Sequence, residues 1–229
     1  MSFDFSGWTL VFDLDGTLIE TAPDLHAALN HALAGGNLPP VSLDTVRMMI
    51  GDGAKAMIRK ALDHHDVAID ERHIDTALWP AFLAHYRANI THHSTPFKDC
   101  LTSLDELRTA GARLAVCTNK SQALAEAILA GLDMSHYFSA IVGGDALATK
   151  KPDGEHIKEA VRRSGGDPAR AIMIGDAWTD ERAARDARLP FVFVSFGYGT
   201  HSNQPYDHLR SIDHWRDMRQ ALSELAIQT

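Results

Sequence analysis

Short β-forming runs alternate with helical stretches through the C-terminal two-thirds of this chain, and that alternation limits the fold more than any other feature. Residues 113–117 (Arg-Leu-Ala-Val-Cys), 140–142, 171–174 (Ala-Ile-Met-Ile) and 191–195 (Phe-Val-Phe-Val-Ser) read as buried strands. Between and around them, 101–110, 122–130, 154–164 and 180–188 carry helical spacing, and glycines stop the first three. Strands alternating with helices of this length imply βαβ units and a parallel sheet, an α/β fold. One further run, Leu10-Val11-Phe12, lies far upstream with no strand partner in its neighbourhood. It is expected to join the later sheet.

Everything between that first strand and the rest reads as helix. Pro23 suits a first helical position, and Leu25, Ala28, Leu29, Ala32 and Leu33 come after it at helical spacing until Gly35-Gly36. Ser42 can cap a second helix with Val46, Met49 and Ile50 inward, ended by Gly51. A third places Ala54, Met57, Ile58, Ala61 and Leu62 on one face. A fourth, after Asp70, aligns Ile74, Ala77, Leu78, Ala81, Phe82 and Tyr86, with Pro80 expected to kink or divide it. Residues 20–93 therefore form an all-helical block inserted after strand one. The tail after Gly199 reads as surface loop (Asn203-Gln204-Pro205) and a closing helix over 215–226.

Composition excludes several classes of function. With 45% hydrophobic and 23% charged residues, the 229-residue chain can bury a real core. A net charge of −8 without any basic stripe argues against nucleic acid or an acidic membrane surface as partner. Cys100 and Cys117 are the only cysteines and lack Cys-x-x-Cys spacing, as expected in a reducing cytosol. Residues 1–8 lack a leader pattern, and no apolar run nears the roughly 20 residues of a membrane span, so a soluble cytoplasmic protein is expected. The thirteen histidines show no His-Glu-x-x-His spacing and are expected on solvated faces.

The chemistry lies just past the end of each strand. Strand one ends in Asp13 and Asp15, with the turn pair Gly16-Thr17. Residues 113–117 lead to Thr118-Asn119, and 171–174 lead to Gly175-Asp176, with Asp180 four residues on. Between them lies Lys150-Lys151-Pro152, where Pro152 is expected to open the next helix. In an open parallel sheet the carboxyl ends of the strands form the ligand edge, so these side chains should converge there. Four carboxylates against one or two lysines leave negative charge that a hard divalent cation, Mg²⁺, would neutralise. On a phosphate monoester, Asp13 can attack phosphorus and Asp15 can protonate the leaving alcohol, then activate water. Thr118, Asn119 and Lys151 can hold the phosphoryl oxygens. Thr118-Asn119 can equally cap the next helix.

Taken in order, Asp13-Leu14-Asp15-Gly16-Thr17-Leu18, Thr118, Lys151 and Gly175-Asp176 with Asp180 resemble the four motifs of the haloacid dehalogenase superfamily of phosphohydrolases. The run 114–120 (Leu-Ala-Val-Cys-Thr-Asn-Lys), residues 176–190 and Phe196-Gly197-Tyr198-Gly199 are similar to its phosphoglycolate phosphatase branch. The resemblance implies a Rossmann-like core over 1–19 and 94–229 and a helical cap domain over 20–93. It also implies that Asp13, the backbone carbonyl of Asp15, and Asp176 bind Mg²⁺, with Asp180 at the edge. An acid at position 15 favours phosphatase over dehalogenase chemistry. Trp178, between the last two acids, is expected to narrow the site. Gly51-Asp52-Gly53 looks like part of a dinucleotide fingerprint but comes after a helix rather than a strand, so it reads as a turn. In the family this region faces substrate, which makes Arg47, Asp52 and Lys55 candidates for specificity.

The expectation is a Mg²⁺-dependent, cytoplasmic phosphatase acting on a small phosphorylated metabolite like 2-phosphoglycolate, as monomer or homodimer. The alternatives are a phosphomutase or pyrophosphatase of the same superfamily, or a non-catalytic binding protein on the same fold.

Overall fold

The computed structural model of the protein describes residues 3–68, 70–202 and 204–228. Its centre is a six-stranded sheet. The strands are β1 (Thr9–Phe12), β4 (Arg113–Cys117), β5 (Ala140–Val142), β6 (Ala171–Gly175), β7 (Phe191–Val194) and β8 (Leu209–Ile212), and every pairing is parallel. They lie in the order β5-β4-β1-β6-β7-β8. The upstream run does join the later sheet, and at its middle: β1 is flanked by β4 and β6, with Leu10 opposite Leu114 and Ile172.

Both faces of this sheet are covered, which is why its central strands read as unbroken apolar runs. Leu10 and Phe12 point to one side, among Leu104 and Leu107 of α6 (Cys100–Thr109), Ile128 of α7 (Gln122–Gly131) and Leu222 of α10 (Met218–Gln228). Val11 points to the other, among Ile157 of α8 (Gly154–Arg163) and Ala183 and Ala184 of α9 (Trp178–Ala187).

After Glu20 the described elements up to His93 are helices: α1 (Ala22–Gly35), α2 (Leu43–Arg47), α3 (Ala54–His64), α4 (Glu71–His73), the π-helical turn Ile74–Leu78 and α5 (Trp79–Ala88). Helices α1, α2, α3 and α5 and the turn Ile74–Leu78 pack in one apolar cluster that includes Leu29, Val46, Ile58, Leu78 and Phe82 and reaches Leu124 of α7. Ser42 caps α2 by accepting from the Thr45 N–H at 3.1 Å. The two crossings between block and sheet are tied by a short antiparallel pair, β2 (Ile19–Glu20) with β3 (Thr95–Pro96). Buried Asp24 of α1 fastens the second crossing by accepting from the backbone N–H groups of His93 and Ser94.

The fourth helix is interrupted just before Pro80: the helical backbone runs from α4 through a five-residue π-helical turn, Ile74–Leu78, into α5, whose second residue is Pro80. Two expectations are corrected. The tail is not simply loop and helix, because 209–212 adds the edge strand β8; of the loop expected at 203–205, Asn203 lies outside the described residues. The histidines are not all on solvated faces, since His156 is fully buried. Among the described residues no helix is long and apolar enough to cross a membrane.

Candidate active site

Parallel register brings the chemistry to one edge. Phe12 is level with both Val116 and Ile174, so the residues after β1, β4 and β6 leave the sheet together. The Asp13 N–H donates to Ile174 O at 2.9 Å and the Thr118 N–H to Val142 O at 3.0 Å, which extends the sheet into the site. After Asp13 the chain turns sharply, with the N–H groups of Leu18 and Ile19 both donating to Leu14 O at 3.1 Å. Gly16 holds φ +84°, and a Cβ there would lie 2.5 Å from Asp176 Oδ2, so the turn demands glycine on two counts. Trp215 supports the turn from beneath: its indole N–H donates to Thr17 O at 3.2 Å and its ring stacks on Phe12.

Asp13, Asp176 and Asp180 each bring one carboxylate oxygen to within 4.8 Å of the others. Lys151, only 2% exposed, places its Nζ 2.8 Å from Asp13 Oδ1 and 2.6 Å from Asp180 Oδ1. Burial alone pulls down the pKa of this ammonium, but the carboxylates of Asp13 and Asp180 outweigh it and raise the pKa above the ordinary lysine value. Asp176 accepts from the Thr17 hydroxyl at 3.0 Å and from the N–H groups of Tyr198 and Gly199 at 2.8 and 3.2 Å. Asp180 Oδ2 accepts from the Ala177 N–H at 3.1 Å. Burial, and then repulsion from neighbouring carboxylates, pushes Asp176 upward; Asp180 moves the same way by burial, partly offset by Lys151. Three carboxylates against one ammonium leave a surplus of buried negative charge, and an all-oxygen donor set fits a hard divalent cation.

Asp15 lines the same cavity as Asp13 and Asp176 but stands outside the cluster of three acids. Its carboxylate is gripped by Lys120 Nζ at 2.8 and 2.9 Å and by the Thr21 hydroxyl at 2.6 Å. Lys120 is a residue that sequence reasoning overlooked, although it comes directly after Thr118-Asn119. Burial works against its charge, yet Asp15 and the Tyr86 phenol raise its pKa overall. Its ammonium sits 4.9 Å from the Tyr86 ring centroid, so α5 covers it. Lys120 closes the run 114–120 that resembles the phosphatase branch, but what it pairs with comes only from the tertiary contact.

The other sequence candidates divide. The Thr118 hydroxyl accepts from the Lys120 N–H at 3.2 Å, and neither Thr118 nor Asn119 caps α7, whose Gln122 N–H is taken by Asp145. The Asn119 amide N–H₂ does not point freely to a ligand: it donates to Gly51 O at 3.0 Å and Lys151 O at 3.1 Å, bridging the helical block to the sheet. Lys150 makes a second such bridge to Asp52 O at 2.9 Å, so of the adjacent pair Lys151 is the buried one. Pro152 does not open α8; Asp153 caps it by accepting from the Glu155 N–H. Trp178 is 49% exposed and lies outside the central cavity, so it does not narrow the site. Of the specificity candidates, Asp52 and Lys55 line the cavity, paired with Lys60 and Asp75, whereas Arg47 turns to Glu20 and Asp44. The cavity measures about 390 Å³, with Asp13, Asp15, Thr118 and Asp176 on one wall and Leu25, Ile50, Met57 and Trp79 on the other.

An open parallel sheet with acids and a buried lysine at its carboxyl edge, beneath inserted helices, is the framework of an α/β protein that binds a small charged ligand at that edge. A family model of haloacid dehalogenase-like hydrolases matches residues 10–194, and the chain belongs to that family. The phosphoglycolate phosphatase of Caulobacter vibrioides is 45% identical over 195 residues, 85% of this chain and 82% of the relative. The crystal structure of a predicted phosphoglycolate phosphatase from Haemophilus somnus matches with a TM-score of 0.84 at 28% identity, covering 94% of this chain and 97% of that one. CbbY from Rhodobacter sphaeroides, solved in complex with phosphate, matches with a TM-score of 0.74 at 25% identity over 92% of this chain and 95% of its own. The chain is therefore a phosphatase of this family, a phosphoric monoester hydrolase similar to the phosphoglycolate phosphatases.

Proposed function

We propose that this enzyme hydrolyses a small phosphomonoester of the 2-phosphoglycolate type through an aspartyl-phosphate on Asp13. The observation that carries the reading is the convergence of Asp13, Asp176, Asp180 and Lys151 at the carboxyl edge of the sheet, where Asp13 and Asp176 line the cavity and the buried Asp180 and Lys151 back them. In the first half-reaction a carboxylate oxygen of Asp13 forms a bond to phosphorus as the bond to the alcohol oxygen breaks. Asp15 gives a proton to that departing oxygen; in the second half it accepts one from the water that attacks phosphorus and frees Asp13. Lys151 and Thr118 bind the phosphoryl oxygens, and Asp180 holds Lys151 in place.

Asp13, the backbone carbonyl of Asp15, and Asp176 would hold Mg²⁺, with Asp180 supporting from the edge. When bound, the ion offsets the repulsion between an anionic nucleophile and an anionic ester. The helical block, residues 20–93, serves as a cap on a core formed by 1–19 and 94–229, excluding bulk water while the acyl phosphate exists. The curated relatives named phosphoglycolate phosphatase and the phosphate complex of CbbY support this reading.

The test is release of inorganic phosphate from 2-phosphoglycolate and from 4-nitrophenyl phosphate, with Mg²⁺ and with chelator. Turnover is expected only with the metal, and Asp13→Asn is expected to lower kcat by at least about a thousandfold. Undiminished turnover in chelator, or an active Asp13→Asn enzyme, contradicts the mechanism.

A further inference from the structure

Tyr198 does two jobs at once. Its backbone N–H donates to Asp176 Oδ2 at 2.8 Å, so it belongs to the seat of one of the clustered acids. Its phenol reaches across to the first crossing between sheet and helical block. There the hydroxyl accepts from the Thr21 N–H at 2.7 Å and the Ala22 N–H at 3.0 Å and donates to Glu20 Oε1 at 2.8 Å. These are buried donors at the start of α1 that have no intrahelical partner, and the helix's own N-cap side chain makes no capping bond. The Thr21 hydroxyl is otherwise engaged: it donates to Asp15 Oδ1 at 2.6 Å. A helix that would ordinarily be capped by its threonine is thus capped from a distant loop, and the threonine is left to hold an acid.

We propose that Tyr198 is a positioning residue for the reaction: by fixing Thr21, it fixes the direction in which Asp15 presents its carboxyl group to the departing oxygen. This inference rests on the acid–base role of Asp15 given above. Without the phenol oxygen, the Thr21 and Ala22 N–H groups must find other partners, the crossing loosens, and the Thr21 hydroxyl loses its fixed place. Lys120 then holds Asp15 alone. The proton transfer to the leaving group suffers, while Asp13, Lys151 and the backbone grip on Asp176 are untouched.

Tyr198→Phe retains the ring that packs against Gly16 and removes only the hydroxyl. The assay compares kcat/KM, which reports only the steps up to departure of the alcohol and so leaves out the later base role of Asp15, for 2-phosphoglycolate, whose alkoxide leaves poorly without a proton, and for 4-nitrophenyl phosphate, whose phenolate leaves readily. Tyr198→Phe is expected to lower the first about tenfold and the second less than about threefold, since general-acid assistance matters only for the poor leaving group. Thr21→Val is expected to show the same selective loss, and Thr21→Ser, which keeps a hydroxyl, to restore most of it. The double variant Tyr198→Phe/Thr21→Val is expected to lose no more than the worse single variant, because both act through one link. Equal losses on the two esters, no loss on either, or additive losses in the double variant overturn the proposal. Should Tyr198→Phe fail to fold, the Thr21 pair decides it alone. Asp15→Asn separates this inference from the reading it rests on. If Asp15→Asn itself lowers both esters equally, the acid role of Asp15 is wrong; if it is selective and Tyr198→Phe is not, only the role of Tyr198 is wrong.

Discussion

His156 is fully buried in α8 and braces the loop that carries Lys151. Its Nδ1 accepts from the Lys151 N–H at 3.3 Å, so its proton resides on Nε2, which donates to Gly143 O at 3.0 Å. A second proton would have to sit on Nδ1, against an N–H group and near an ammonium. Burial, and then the charge of Lys151, lowers its pKa from the ordinary 6.5 to about 4. The unfolded chain therefore takes up the proton first. This contribution to stability is intact above the unfolded value and is lost as pH falls toward the folded one. At about 1.4 kcal/mol per pKa unit the full loss is about 3 kcal/mol, of which about 2 kcal/mol is gone on moving from about pH 8 to about pH 5. His156→Gln can still donate to Gly143 but cannot take a charge. It is expected to be less stable than the parent near pH 8 and to lose about 2 kcal/mol less than the parent on acidification, measured by urea unfolding at both pH values. The comparison cancels the carboxylates that titrate in both proteins. Parallel losses, within about 0.5 kcal/mol, refute the neutral buried imidazole.

The same geometry sets other outcomes. Gly16→Ala forces a Cβ against Asp176 at a positive φ; unfolding free energy is expected to drop by about 1–3 kcal/mol and phosphate release by more than about tenfold, read by denaturation and by assay. Lys151→Met leaves Asp13 and Asp180 without their cation, which is expected to destabilise the metal-free protein by about 3–5 kcal/mol, with Mg²⁺ restoring a larger share than it adds to the parent. A thermal shift with Mg²⁺ no bigger than the parent's contradicts a shared cation site. Asn119→Ala cuts the bridge to Gly51 O, so faster amide exchange at 51–53 and a several-fold rise in KM are expected. Unchanged exchange there means that the bridge does not hold the helical block.

Much of this architecture is legible in the chain alone because it is encoded by local periodicity. Apolar runs such as Ala-Ile-Met-Ile mark strands buried on both faces, and the helical spacing of Leu25, Ala28 and Leu29 marks one face of α1. Where local signals weaken, sequence reasoning fails. Leu209–Ile212 has only its two end residues apolar and lies at a half-exposed edge, so β8 resembles a loop until β7 is beside it. Pro80 signals an interruption because it lacks an N–H, but the sequence does not show that the interruption is a π-helical turn just upstream of it.

The site divides along the same line. Residue type and order alone select Asp13, Asp15, Thr118, Lys151, Asp176 and Asp180, since carboxylates and a lysine at strand ends have few stable uses other than a charged ligand. Which group each one faces is decided only by the fold. Asp15 turns to Lys120 and Thr21, the Asn119 amide is drawn into a bridge, and Tyr198 links an acid's seat to a crossing 177 residues away in sequence. A side chain's type limits what it can do, but its partner depends on which distant segments the packed sheet and helices bring within about 3 Å, and no pattern confined to neighbouring residues carries that information.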